Sequence, residues 1–255
     1  MIAAGISCVD SAPPGAAGPP LVLVHGAGGT HRDWPEALRA LAGRRVLALD
    51  LPGHGASAGP ARGSISAYAA SVVGALDALE IPSAVLAGHS MGGAIALTVA
   101  LEAPARVAGL VLVSTGARLK VSPAVLEATA DPAALAAAAG TMAELAFGSL
   151  AGPSLREEFV AGLLATAPGV AHGDFAACNA FDVMARLGEL RAPTLVVCGT
   201  EDRLTPRKYA EYLGDRIAGA RLEVVPGAGH MVMLEAPERV AGAIGAFLAS
   251  MGAGA

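Results

Sequence analysis

Ala84-Val85-Leu86-Ala87-Gly88-His89-Ser90-Met91-Gly92-Gly93 is the stretch on which the reading of this chain turns. It begins as a short, continuous apolar run without polar alternation, the pattern of a strand buried on both faces. A helical pattern starts at Met91 and runs to Glu102, so Ser90 sits on the turn between them. Five similar runs flank this one: Leu21 to Val24, Arg45 to Asp50, Gly109 to Val113, Thr194 to Cys198 and Leu222 to Val225. Helix candidates lie at Asp33 to Leu41, Ser66 to Glu80, Arg207 to Leu213 and Pro237 to Ala249. Strands alternating with helices imply crossover connections, hence an α/β fold built on a mostly parallel, doubly wound sheet. Ile6 to Asp10 adds an antiparallel edge strand, with Ala4-Gly5 as a hairpin turn.

The alternation stops between Gly116 and Arg186. Only Ala-rich helical pieces occur there, broken by Pro123, Pro132, Gly140, Pro153, Pro168 and Gly169. Such a length is too great for a structureless loop in a compact domain, so it reads as a helical insertion. No fixed-period repeat is present, and the tail from Gly252 to Ala255 is expected to fray.

The whole chain, 255 residues, suits one large domain, and its 54% hydrophobic content suits a sizeable core. A net charge of −5 argues against a nucleic-acid surface, which needs clustered cations. Mean hydropathy is +0.56, yet the longest weakly polar stretch, Pro132 to Leu150, is mostly alanine and carries Gly140, Glu144 and Gly148. That excludes a bilayer span. The first fifteen residues have no basic region and reach Asp10 before any apolar core, which argues against a secretory signal. Cys8, Cys178 and Cys198 are odd in number and match no metal or redox spacing. Free thiols in a reducing, cytoplasmic compartment are expected.

The pattern G-x-S-x-G occurs twice, around Ser57 and around Ser90. Ser57 lies in a turn-rich stretch with no strand before it and no helix directly behind, and is read as a loop residue. Ser90 has both, and a strand–serine–helix turn lifts the hydroxyl clear of the sheet edge and aims the helix N-terminus at nearby negative charge. The bland alternative is that Ser90 merely caps the helix. A serine hydroxyl needs a base at neutral pH, and histidine has the right pKa. His25 and His54 sit in Gly-rich turns where backbone hydrogen bonds are their ordinary use. His89 should be aimed away by the turn, and nothing in their positions favours His31 or His172. His230 follows the last strand, so it shares with Ser90 the carboxyl edge where parallel sheets gather ligands. Asp202 follows the fifth run at the same edge and is the carboxylate that would orient the imidazole, with Glu201 as a substitute. The oxyanion formed by attack needs preorganised N–H donors. Met91 supplies one and Ala27, in the loop His25-Gly26-Ala27-Gly28-Gly29, is the candidate for the other. That loop lacks the third glycine of a dinucleotide fingerprint, and neither lysine follows a glycine as a P-loop requires.

These motifs resemble the α/β-hydrolase family over nearly the whole chain. The resemblance is carried by HGAGG with Trp34 downstream, DLPGHGAS from Asp50, GHSMGG around Ser90, PTLVVCGTEDRLTP around Asp202, and PGAGHMVMLEAPERV around His230. The order Ser, Asp, His is the family's order. The resemblance implies a core of residues 1–115 and 187–255, and a helical cap, or lid, of residues 116–186 inserted after strand 6. The usual first strand is nearly absent before Gly5, so seven or eight strands are expected. Some relatives take the acid from the preceding strand, but Ser114-Thr115-Gly116-Ala117 holds no carboxylate. Dehalogenases and epoxide hydrolases of this fold carry Asp where this chain has Ser90.

The implied chemistry is acyl transfer through an acyl-enzyme, with no metal and no cofactor, acting on a small-molecule uncharged carboxylic ester. Apolar candidates for the pocket are Trp34, Met142, Phe147, Phe159, Phe175, Cys178, Phe181, Met184 and Met231, with the acyl part beside Trp34 and Met231. Few cations lie in the insertion (Arg118, Lys120, Arg156 and Arg186), so no anion clamp is evident. Alternatives are a lactonase or C–C bond hydrolase with the same triad, a cofactor-free perhydrolase, and a ligand receptor on a hydrolase frame. The ratio of lactone or C–C cleavage to ester turnover, a peracid assay, and tight binding without turnover discriminate them.

Overall fold

Ala4 (φ 48°) and Gly5 (φ 82°) both take the left-handed conformation that a two-residue hairpin requires, and they join β1 (Ile2–Ala3) to β2 (Ile6–Ser11). This is a computed structural model, and it describes residues 1–167 and 169–252. The remaining strands are β3 (Leu21–Val24), β4 (Val46–Asp50), β5 (Ala84–His89), β6 (Val107–Val113), β7 (Thr194–Gly199) and β8 (Arg221–Val225). They form one sheet of eight strands in the order β1-β2-β4-β3-β5-β6-β7-β8. From β4 to β8 neighbours run parallel, while β1–β2 and β2–β4 are antiparallel. The count is therefore eight, the extra strand being only two residues long.

Period-two alternation splits each central strand between two cores. Val22, Val24, Leu47, Leu49, Leu86, Leu110 and Leu112 face one side, against α2 (Ile65–Ala78), α3 (Met91–Glu102) and α8 (Lys208–Arg216). Leu21, Leu23, Val46, Ala48, Val85, Val111 and Val113 face the other, against α1 (Glu36–Arg39), α9 (Val232–Glu235) and α10 (Pro237–Gly252). Helices on both faces explain why the strand runs lack polar alternation: no face of the central strands meets water.

The helix expected over Asp33 to Leu41 is instead two pieces. A single 3₁₀ turn covers His31–Asp33, Trp34 is extended (φ −97°, ψ 112°), and α1 follows. Pro35 is the cause, because its ring drives the preceding residue out of the helical region.

Between β6 and β7 lie α4 (Pro123–Ala130), α5 (Pro132–Ala146), α6 (Pro153–Ala165) and α7 (Val170–Ala180), with an isolated bridge between Arg118 and Asp182. Each of the first three starts on proline, which suits the first helical turn because its missing N–H would have no partner there. Gly169 precedes α7 with φ 80°. Gly140, expected as a break, lies inside α5 instead. One glycine costs about 1 kcal/mol against alanine, which the alanine-rich turns around it absorb. Pro168 and residues 253–255, read as a break and as part of the tail, lie outside the described residues, and Gly252 closes α10. The four helices enclose a small cluster of their own around Leu135, Ala139, Met142, Leu163 and Ala171. No described helix is long and apolar enough to cross a membrane.

Candidate active site

Ser90 stands at the end of β5 with φ 52° and ψ −114°, a conformation that costs a non-glycine residue about 1–3 kcal/mol. The glycines around it make the turn sterically feasible. A Cβ on Gly88 would overlap the Gly92 carbonyl, and one on Gly92 would overlap the Val24 carbonyl of β3. Gly92 thus lets α3 approach the sheet, while Gly93 packs against Thr115. The backbone is held by Ser90 N–H to the Val113 carbonyl (2.9 Å) and by the Thr115 hydroxyl to the Ser90 carbonyl (2.7 Å). The Ser90 hydroxyl makes no capping hydrogen bond to α3, so the plain capping role is not the one it plays.

The loops after β7 and β8 pass so closely that a Cβ on Gly199 would overlap the Ala228 carbonyl. This brings Asp202 and His230 together, both nearly buried. His230 Nδ1 lies 3.0 Å from Asp202 Oδ2 and 3.2 Å from Oδ1. Asp202 Oδ1 also accepts the N–H groups of Leu204 (2.9 Å) and Thr205 (2.8 Å), and Oδ2 accepts the Thr205 hydroxyl (2.7 Å). Burial works to raise the Asp202 pKa, but the charge and hydrogen bond of His230 and the bonds from Thr205 hold it below the usual carboxylate range. An ionised carboxylate only accepts, so Nδ1 carries a proton and Nε2 is left free to act as a base. Glu201 turns elsewhere, accepting from the Ser149 N–H (2.7 Å) and hydroxyl (2.9 Å).

His89, the neighbour of Ser90, turns toward His230. Its Nε2 lies 3.0 Å from the His230 carbonyl oxygen, which can only accept, so the proton sits on Nε2. Burial, then the nearby His230, lowers its pKa to about 3, keeping the ring neutral. His25 is likewise lowered to about 4 by burial and by His54, its Nε2 accepting the Leu51 N–H (3.0 Å). Both rings gain a proton on unfolding below pH 6.5 and resist it when folded. Stability should therefore fall as pH drops from 6.5 toward 4, by about 1.4 kcal/mol per pH unit for each ring. Asp33, pushed up to about 6 by burial, works in the opposite direction, so a difference must be read. In urea titrations at pH 4.5, 5.5 and 6.5, His25→Gln should show a slope lower than wild type by about one proton. Equal slopes would mean that the folded ring already carries its charge.

On the other side of Ser90, a Cβ on Gly26 would sit 3.3 Å from Ser90 Cβ and 2.9 Å from His89 Nδ1, so the loop after β3 lies directly against the turn. Among the described residues, neither the Ala27 N–H nor the Met91 N–H donates to a protein acceptor, whereas the Gly28 N–H is committed to Asp174 Oδ2 at 2.8 Å. Helices α5 to α7 meet both loops of the site. Ala146 O accepts the N–H of His230 (2.7 Å), and Glu235 accepts from Gly148 (2.8 Å) and Gly229 (2.9 Å).

The nine apolar pocket candidates fall into different packing groups. Trp34, Phe147 and Met231 share the core on the α10 side of the sheet, with Phe159 packed against it edge-on to Phe147. Cys178, Phe181 and Met184 belong to the opposite core, and Met142 and Phe175 to the cluster within the four helices. Trp34 has no exposed surface, and its indole N–H is unpaired. Of the remaining histidines, His31 pairs with Asp50 (2.9 Å) and His172 meets the Thr129 hydroxyl (3.3 Å). Ser57 is a loop tie, accepting the Ser7 N–H and donating to the Asp50 carbonyl. No group of three or more potential metal ligands gathers among the described residues. Thr205 and Asp174 escaped the sequence reading. For Thr205, its position three residues after a turn aspartate was an available signal.

Comparison with known proteins bears on this geometry. A family model described as alpha/beta hydrolase fold matches residues 19–237. The chain is 38% identical over 258 residues to the dihydrolipoyllysine-residue acetyltransferase component of the acetoin cleaving system of Pseudomonas putida. That match covers 92% of this chain but 64% of the relative, less than two thirds of its length. With 2-hydroxymuconate semialdehyde hydrolase of Pseudomonas sp. (strain CF600) the identity is 33% over 283 residues, covering 100% of this chain and 95% of the relative. Among solved structures, a thermophilic esterase superposes with a TM-score of 0.83 at 32% identity, covering 97% of this chain and 99% of that one. With an eight-stranded sheet, a strained serine at the end of β5 and a family match across most of its length, the chain belongs to the alpha/beta hydrolase fold family.

Proposed function

We propose that this protein hydrolyses small to medium uncharged carboxylic esters through an acyl-enzyme on Ser90. The observation that carries the reading is the Asp202–His230 pair, hydrogen-bonded at 3.0 Å on the loops that follow β7 and β8, with the strained, uncapped Ser90 following the parallel strand β5. In this reading Nε2 of His230 takes the proton from the attacking hydroxyl and returns it to the departing alcohol. The Ala27 and Met91 N–H groups, free of protein acceptors, meet the oxyanion. Water activated by the same imidazole then releases the acid. In this reading the Ser90 hydroxyl and Nε2 of His230 close to hydrogen-bond distance in the substrate complex, where catalytic hydrogen bonds tighten. Residues 116–186 act as the lid over this site.

An uncharged substrate is supported by what the insertion's cations already do. Arg118 and Arg186 face Asp182 and Glu189, Lys120 donates to the Asn179 carbonyl, and Arg156 donates to the carbonyls of Ala151 and Gly148. A second reading, C–C bond hydrolysis by the same triad, is favoured by the similarity to 2-hydroxymuconate semialdehyde hydrolase. Its anionic substrate would find no unengaged cation among these four. The test is a panel of p-nitrophenyl esters, a lactone and 2-hydroxymuconate semialdehyde under one set of conditions. The highest kcat/KM is expected for a short-chain ester. A kcat/KM at least tenfold higher for 2-hydroxymuconate semialdehyde or the lactone would displace the ester reading.

A further inference from the structure

Asp174 lies on α7, far in sequence from any residue of the site, and has no exposed surface. A buried carboxylate without partners would cost several kcal/mol, and this one has three. Oδ2 accepts the Gly28 N–H (2.8 Å) and lies 2.7 Å from His54 Nε2, while Oδ1 accepts the Tyr68 hydroxyl (2.6 Å). His54 Nδ1 faces the Pro52 carbonyl oxygen at 3.1 Å. A carbonyl can only accept, so Nδ1 of His54 carries a proton, and Nε2 shares a hydrogen bond with the Asp174 carboxyl. Burial opposes a charge on the ring, yet the hydrogen bond and charge of Asp174, with the Pro52 and Leu51 carbonyls, raise the His54 pKa above its ordinary value.

What this pair holds is a loop that cannot hold itself. Residues 26–29 are Gly-Ala-Gly-Gly, closed by Gly29 N–H to the Gly26 carbonyl (3.2 Å), with Gly28 at φ 66°. The central peptide of such a turn, Ala27–Gly28, can face either way at little cost when glycine follows. Asp174 takes the N–H of that peptide, and the reverse orientation would press the Ala27 carbonyl oxygen against a carboxylate. The Thr166 hydroxyl, at the end of α6, donates to the Gly28 carbonyl (3.0 Å) and fixes the next peptide.

We propose that Asp174 is a positioning residue for the oxyanion hole: from the helical segment, and supported by His54 and Tyr68, it holds the Gly28 peptide and with it the loop that carries the Ala27 N–H against the Ser90 turn. The role rests on the acyl-transfer reading given above, because an oxyanion donor matters only where an oxyanion forms. Asp174 touches no substrate and acts through Gly28.

The experiment compares Asp174→Ala, Asp174→Asn, Asn179→Ala and Ser90→Ala by p-nitrophenyl acetate kinetics and by the Ki of a boronic acid that mimics the tetrahedral intermediate. Removing an oxyanion donor outright costs roughly 10²–10³ in kcat, and a misaligned donor loses part of that. Asp174→Ala is expected to lower kcat roughly 30-fold with KM changed less than about threefold, and to raise the boronate Ki by a similar factor. Asp174→Asn keeps an oxygen for Gly28 and should stay within about fivefold of wild type. Asn179→Ala removes a tie of the same helix to the Val121 N–H without touching Gly28, and should leave kcat and Ki unchanged. If Asp174→Ala does not fold, Thr166→Val replaces it, with a loss of kcat of about fivefold expected and an unchanged kcat overturning the role. Full turnover by Ser90→Ala removes the acyl-transfer reading and this inference with it. An inactive Ser90→Ala beside an Asp174→Ala with wild-type kcat and Ki overturns the positioning role alone.

Discussion

Ser90→Ala is expected to lower kcat for p-nitrophenyl acetate by about 10⁵–10⁶, the loss seen when a serine nucleophile is deleted from an intact site. KM should change little, because an uncharged ester draws its affinity from apolar contact rather than from the hydroxyl. Stability should also stay level. Alanine keeps the Cβ that makes φ 52° unfavourable, so the strain persists, and the hydroxyl caps nothing that its removal would expose. Kinetics, the thermal midpoint and the mass of a fluorophosphonate adduct report the three effects. Turnover within tenfold of wild type, or an adduct that survives the substitution, would place the nucleophile elsewhere.

Asp202→Asn should cost about 10⁴ in kcat while leaving the fold intact, for a reason visible in the hydrogen bonds. The N–H groups of Leu204 and Thr205 both point at Oδ1 and cannot reverse, so the amide oxygen of asparagine must take that position. Its NH₂ then replaces Oδ2 and faces His230 Nδ1, which must become the acceptor. The imidazole proton moves to Nε2, which in the acyl-transfer reading would receive the serine proton and no longer has a lone pair for it. The Thr205 hydroxyl can turn to accept from the new amide, so no buried polar group is stranded. The readouts are kcat and the urea midpoint. A kcat within tenfold of wild type would show that this carboxylate does not set the tautomer.

Much of this architecture was legible because its signals are local. β3 to β7 announce themselves as apolar runs, since both their faces are buried, whereas β8 is an edge strand with Arg221 and Leu222 exposed; Ser90, Asp202 and His230 follow β5, β7 and β8. β1 was below that threshold: two residues carry no periodicity, and only the Ala4-Gly5 turn marks the hairpin. The helix expected over Asp33 to Leu41 is divided at Trp34 and Pro35, where proline excludes the helical conformation from the residue before it. Asp174 was invisible for a different reason. Its partner Gly28 is 146 residues away, and no pattern within α7 marks a carboxylate that will be buried. His54 was half read: its bond to the Pro52 carbonyl follows from a Gly-rich turn, but the bond to Asp174 does not. Trp34, expected beside the acyl group, is fully buried in the core on the α10 side of the sheet.

The contacts of Ala146, Gly148 and Ser149 with His230, Glu235 and Glu201 restrict how this scaffold can be recombined. A chimera that imports residues 116–186 from a homologue carries plugs cut for another set of sockets. Glu201, His230 and Glu235 on one side, and Gly28, His54 and Tyr68 on the other, form a single inheritance unit with the segment they grip. Swapping specificity in this protein therefore means transplanting non-contiguous pieces together, whereas a graft cut at the boundaries of the insertion would deliver new helices onto a site they cannot assemble.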